Sequence, residues 1–319
     1  MKEHRISAKQ KALAASCNYK RPNSEQHFMK AKTASRTAQY MALFRAVETT
    51  RPKSKRLFTD PYAINFLDKE LQRVTKIAAL PIIGRLIPRL IHKKGIGAIS
   101  SGIARTKYID DLLEATIKGG SKQVIILGAG FDTRSVRLDF LKNISIIEID
   151  HPDTSNFKIE ILKRNIGQLP PNVNFQQVDF NNQSLNEIAE QAKINFLLPT
   201  TIIWEGVTNY LTKETIDNTF NFTKQFISPF NIIFTYIDKD VLDNPGHFKG
   251  TEQLFANLKK NEEQWTFGFN PNKLTSYLKQ FDLALKEDLN ATEYRNRYMP
   301  ARTRILEGYE FYRVVAAKR

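Results

Sequence analysis

Val124-Ile125-Ile126-Leu127-Gly128-Ala129-Gly130-Phe131-Asp132-Thr133-Arg134 is the stretch on which the fold turns. A short β-branched run halted by two glycines reads as a buried strand entering a tight turn. Working outward, four more such runs follow, at Ile144 to Ile149, Val173 to Val178, Thr200 to Trp204 and Ile232 to Tyr236. Helical patterns separate them, at Thr154 to Arg164, Ser184 to Ala192 and Lys213 to Phe226, and Ile103 to Ile117 precedes the first. Alternation of this kind predicts an α/β fold, a mostly parallel sheet wrapped by helices. Leu283 to Leu289 and Tyr309 to Ala316 are strand-like with no long helix between them, and can close the sheet as an antiparallel pair. That makes seven strands with the final one antiparallel. No internal repeat is visible.

Upstream of the first strand the pattern is helical. Tyr40, Met41, Phe44 and Val47 fall at three- and four-residue steps, and Asp60-Pro61 opens a further short helix with Asp60 as its cap. Lys76 to Lys94 is apolar with basic punctuation, and Pro81 and Pro88 forbid one straight helix through it. We read it as a mobile cover, with a membrane-surface helix as the alternative. The domain expectation is a basic, disordered arm at 1–33, a helical cap and lid at 34–102, and a ligand-binding domain at 103–319.

The composition, 319 residues with 41% hydrophobic and 25% charged, suits one large or two small globular domains and excludes collagen, low complexity and wholesale disorder. A single cysteine, Cys17, excludes an intramolecular disulfide, and no stretch of about 18 uncharged apolar residues is present. With no apolar signal segment after Met1 either, the expected location is the cytoplasm. The net charge is +15, but residues 1–56 carry 14 Lys/Arg against 3 Asp/Glu, and the remainder is only +4. The basicity belongs to the arm. It lacks the aromatic-basic interleaving of an RNA binder, while contact with an anionic membrane surface stays open for arm and lid.

Two glycines after the first strand let a ligand approach the backbone, and Asp150 ends the second strand twenty residues beyond Gly130, placed to accept from ribose hydroxyls. A dinucleotide fingerprint would want glycine where Thr133 stands, and no Gly-Lys-Ser/Thr phosphate loop follows. A phosphate-free adenosine fits better, and S-adenosylmethionine is the common one. Asp179 and Phe180, after the third strand, would meet its adenine. Glu205, after the fourth, would meet its cationic methionine end.

Four ordered strings carry a resemblance: Arg105-Thr106-Lys107-Tyr108-Ile109-Asp110, Gly128 to Arg134, Glu148-Ile149-Asp150-His151-Pro152 and Glu205-Gly206-Val207-Thr208-Asn209-Tyr210-Leu211. From about Thr37 onward the chain resembles the leucine carboxyl methyltransferase family, including its bacterial O-methyltransferase branch. The resemblance implies a class I Rossmann-like fold using S-adenosylmethionine. By it, Arg105 would pair with the cofactor's carboxylate, Gly128 and Gly130 would form the turn beneath, Asp150 would hold ribose, Asp179 and Phe180 adenine, and Glu205 the amino group. Arg45 matches a family position in the amino-terminal cap.

Methyl transfer from a sulfonium can rest on alignment in a water-poor pocket. A carboxylate acceptor needs no base and a hydroxyl does. No histidine is an evident base, and His151, between Asp150 and Pro152, reads as structural, which leans the reading toward a carboxylate. Tyr210 and Arg45 are the candidates for orienting the acceptor, a small, partly apolar molecule or a peptide terminus. No histidine or cysteine spacing suggests a metal. A nicotinamide-dependent reductase, disfavoured by Thr133, and a nucleic-acid- or membrane-binding protein with a vestigial catalytic fold are the alternatives.

Overall fold

The computed structural model describes residues 24–81, 83–178, 183–261, 263–300 and 307–319. In chain order these form helices α1 (Ser24–Thr49), α2 (Lys69–Ala78), α3 (Ile87–Lys94) and α4 (Ala98–Lys118), then strand β1 (Gln123–Leu127) and strand β2 (Ser145–Asp150). Next come α5 (Pro152–Ile166), β3 (Val173–Gln177), α6 (Leu185–Gln191), β4 (Thr200–Trp204), α7 (Lys213–Thr223) and β5 (Phe230–Ile237). The chain ends with α8 (Thr251–Lys260), α9 (Pro271–Lys279), β6 (Ala284–Asn290), α10 (Ala291–Tyr298) and β7 (Tyr312–Lys318).

The seven strands form one sheet in the order β3-β2-β1-β4-β5-β7-β6. β1 pairs in parallel with β2 and β4, and β7 runs antiparallel to both its neighbours. This is the expected doubly wound sheet with its antiparallel final strand. Successive side chains of β1 go to opposite faces, Val124 and Ile126 into a core with α1 and α4, Ile125 and Leu127 into one with α6, α7 and α9. β1 and β4 at the sheet centre are buried along their whole length, which suits the nearly unbroken apolar run of β1. The helix starts are chemically marked: Ser184 and Glu187 make a reciprocal capping box, Thr212 accepts from the Thr215 amide, and His151 accepts from the Asp153 amide.

The structure adjusts two boundaries. α4 is one unbroken helix from Ala98, so the expected division at 102/103 falls inside it. Gly102 looks like a breaker in sequence, but a Cβ there would come within 2.7 Å of the Phe44 ring. Its smallness lets α1 and α4 pack closely. α1 starts at Ser24, so the last part of the expected arm is helical, while the arm's residues 1–23 lie outside the described residues. Between Lys76 and Lys94 the chain breaks into α2, a 3-10 turn at Ile83–Leu86 and α3, with Pro88 in the first turn, as the prolines require.

Candidate active site

The strand order reverses between β1 and β4, and open α/β sheets bind ligands at the carboxyl ends of such a pair. Gly128 follows β1 and Glu205 follows β4, so two of the sequence strings meet at this crevice. β7 is antiparallel, with Tyr312 opposite Ile237 at the end of β5, so its first residue also reaches this edge. An open groove lined by Lys142, Pro171, Asn172 and Lys193 lies at the opposite end of the sheet, away from every string.

Gly128 has φ +64°, and a Cβ on it would sit 2.5 Å from Val207 Cγ2. Backbone angle and contact both exclude a side chain, so the turn stays flat against the loop after β4. Asp150 reaches this turn from the adjacent strand. Its carboxylate accepts from the Gly130 amide and, at 2.6 Å, from the His151 amide. The twenty-residue interval is thus the span between neighbouring parallel strands, with Leu127 opposite Ile149. Burial pushes the Asp150 carboxyl above its ordinary value, with the Gly130 and His151 amides pulling it back. Each oxygen retains a lone pair for a ligand hydroxyl.

Arg105, inside α4, is buried and donates through Nε to Glu205 at 2.8 Å, with its guanidinium 4.5 Å above the Tyr312 ring. Burial works against its charge, but Tyr312 and Glu205 outweigh it and its pKa is raised. Glu205 takes a second cation, Arg134 Nη1, at 2.8 Å. Burial opposes its ionisation too, and Arg134 and Arg105 hold its carboxyl below the usual range. The Thr235 hydroxyl on β5 accepts from the Gly206 amide and fixes the turn carrying Glu205. An Arg–Glu pair beside a glycine turn is the complement of an amino-acid zwitterion.

Sequence reading missed the hub of this cluster. Arg134 donates to Asp110 at 2.7 Å and to Asp132 at 2.5 Å as well as to Glu205, and Arg137 shares Asp110 at 2.8 Å. The signal was present, since Asp110, Asp132 and Arg134 stand inside the quoted strings as charges in otherwise buried segments. Arg134 is 2% exposed.

Arg45 lies on α1, in the cap. It is buried, donating to Asp60 at 2.8 Å and to the Phe131 carbonyl at 2.5 Å. Asp60 also accepts from Thr133 at 2.6 Å and from the Tyr62 and Ala63 amides. Arg45 thus links the cap to the glycine loop. Thr133, standing where a dinucleotide loop would have glycine, has its hydroxyl in the same link. Glu148 is likewise internal, paired with Lys158 at 2.5 Å.

Tyr210 donates to Glu263 at 2.9 Å, and Thr37 of α1 donates to both oxygens of the same carboxylate at 2.7 and 2.8 Å. Burial, then Glu263, push the Tyr210 phenol well above its ordinary value, and Tyr312 adds to this. Tyr210 packs against the hydrophobic cluster that contains Tyr312. Asn209 Oδ1 beside them is buried and has no hydrogen-bond partner among the described residues. Trp265, Phe311 and Tyr309 complete an aromatic wall, with the Trp265 and Phe311 rings 6.0 Å apart. Nothing in the sequence pointed to Glu263, which reaches the site only by tertiary folding. Asp179 and Phe180, the expected adenine contacts, lie outside the described residues.

Comparison with known proteins supplies an independent line. Residues 38–224 match the family described as leucine carboxyl methyltransferase. A protein of Frankia alni named "Putative S-adenosyl-L-methionine-dependent methyltransferase" is 33% identical over 132 residues, 40% of this chain and 42% of that protein. One of the same name from Streptomyces coelicolor is 28% identical over 198 residues, 60% of this chain and 65% of its own. These matches span less than two thirds of either relative's length. The crystal structure of "a putative methyltransferase" from Thermobifida fusca superposes with TM-score 0.51 at 15% identity, covering 86% of this chain and 97% of that one, a likeness of fold.

Proposed function

We propose that this chain, which belongs to the leucine carboxyl methyltransferase family, is an S-adenosylmethionine-dependent methyltransferase acting on oxygen. The carrying observation is the Arg105–Glu205 pair, buried at the arginine and half-buried at the glutamate, set beside the Gly128 turn and one strand from Asp150. Arg105 suits the cofactor's carboxylate, Glu205 its ammonium and Asp150 its ribose hydroxyls. When bound, the cofactor supplies an electrophilic methyl group on a sulfonium whose leaving thioether is neutral. Titration calorimetry tests this reading: S-adenosylmethionine is expected to bind and NADPH to give no heat, and the reverse would sink it.

The protein's own task on the acceptor side is to align an oxygen and exclude water. Tyr210 and Glu263 support a hydroxyl acceptor over the carboxylate that sequence alone favoured. A second carboxylate about 4 Å from Glu263 would be repelled by about 4 kcal/mol at an effective dielectric of 20. A hydroxyl can instead give its proton to Glu263 as its oxygen takes the methyl. The aromatic wall of Trp265, Phe311 and Tyr309 supports a small, partly apolar acceptor, and a cytoplasmic location suits the single cysteine.

Glu263→Gln is expected to slow transfer to hydroxyl acceptors by about 10²-fold or more, as loss of a general base does. Cofactor affinity should stay unchanged. The check is transfer of a labelled methyl to parallel panels of phenols and carboxylic acids. Carboxylic acids accepted equally well by wild type and variant would reject the hydroxyl reading while leaving the cofactor reading intact.

A further inference from the structure

We infer that the hairpin formed by α2 and α3 is a docking surface for an anionic phospholipid bilayer. Ile77, Leu80, Leu86 and Leu90 are 41%, 48%, 50% and 52% exposed, half of the strongly exposed large hydrophobic residues among those described. They fall within fourteen positions of a chain whose other apolar residues are mostly buried. Ile77 lies in the last turn of α2 and Leu80 just after it, Leu86 ends the 3-10 turn and Leu90 lies on α3, so the four cluster about the connection between the two helices. In the connection the Gly84 amide donates to the Leu80 carbonyl at 3.0 Å, and a Cβ on Gly84 would clash with the Ala78 carbonyl oxygen, so the turn packs closely against the end of α2.

The charges interleaved with this face are of one sign. Arg73 and Lys76 on α2, and Arg89, Lys93 and Lys94 on α3, are all exposed, whereas the two helices carry a single acid, Glu70. Exposed leucines among exposed cations are what an interfacial helix offers to anionic headgroups, apolar groups entering the acyl boundary while lysine and arginine stay at the phosphates. That charge argues against a second copy of this chain as the occupant, because a self-complementary contact would oppose two cationic faces. It also argues against nucleic acid, since four exposed leucine and isoleucine side chains contribute nothing to phosphate contacts. Among the described residues no helix is long and apolar enough to cross a membrane, so the contact is peripheral.

The test is co-sedimentation of the full chain with vesicles of phosphatidylcholine alone or mixed with phosphatidylglycerol. Binding is expected only to the mixed vesicles and should weaken as salt is raised. The double variant Leu80→Asp/Leu90→Asp, at exposed positions, should keep wild-type thermal unfolding and cofactor affinity. Its vesicle binding should fall on the order of tenfold or more. Lys93→Glu/Lys94→Glu should weaken binding without touching the apolar face. Equal binding of the leucine variant and wild type would assign the affinity to the basic arm and overturn the inference. So would absence of binding, or a leucine-dependent dimer in sedimentation equilibrium.

Discussion

Arg134→Met is expected to lower the unfolding free energy by about 3–5 kcal/mol, the usual cost of removing one partner from a buried ion cluster. Arg134 is 2% exposed and meets Asp110, Asp132 and Glu205 within 2.8 Å. Without it Asp132 loses its strongest cation, and Glu205 keeps only Arg105. Burial opposes the ionisation of Asp132 and Glu205, and the neighbouring cations are what depress both pKa values. The sign of the pH dependence follows: their stabilisation is full above the ordinary carboxylate range and is lost as pH falls through the depressed values. The variant should therefore show a flatter acid limb as well as a lower denaturation midpoint. Arg134→Lys should recover only part of the loss, because one ammonium cannot fork toward three carboxylates. Unfolding within about 0.5 kcal/mol of wild type, an ordinary surface effect, would show that the cluster is not a structural unit.

Asp150→Ala is expected to weaken S-adenosylmethionine binding by about 1–3 kcal/mol, roughly 5- to 150-fold in Kd, the cost of leaving buried ribose hydroxyls unpaired. Asp150 also holds the Gly130 and His151 amides, so the alanine variant loosens the turn itself. Thermal unfolding without ligand measures that second effect separately. Burial raises the Asp150 pKa, so wild-type affinity should begin to fall on acidification at a higher pH than an ordinary carboxylate gives. Asp150→Asn has no such proton to gain and should lose this dependence. Calorimetry across pH decides: an identical acid limb in wild type and Asp150→Asn would remove Asp150 from the ribose site.

Glu263 and Arg45 mark where legibility ended. Glu263 sits more than fifty residues beyond the Glu205 string in an irregular segment, and no periodicity or spacing connects it with Tyr210. Only the packing of α1, the loop after β4 and the stretch following α8 brings Thr37, Tyr210 and Glu263 together. Arg45 was legible as a special position but not as a link, since its partners Asp60 and Phe131 are 15 and 86 residues away. Gly102 shows the converse: glycine has low helix propensity, yet contact with Phe44 demands that small residue within a continuous helix.

Local chemistry set the architecture before any contact was known. Unbroken β-branched runs can be satisfied only by strands covered on both faces, and parallel neighbours require the helices found between them. The glycine turn and the acid one strand later were readable because parallel pairing converts a sequence interval into adjacency across the sheet. What each charge does once buried was decided by the tertiary structure. Arg105, Arg134, Asp110, Asp132 and Glu205 come from three separate segments, and Coulomb energy in a desolvated site depends on distances that sequence order does not contain.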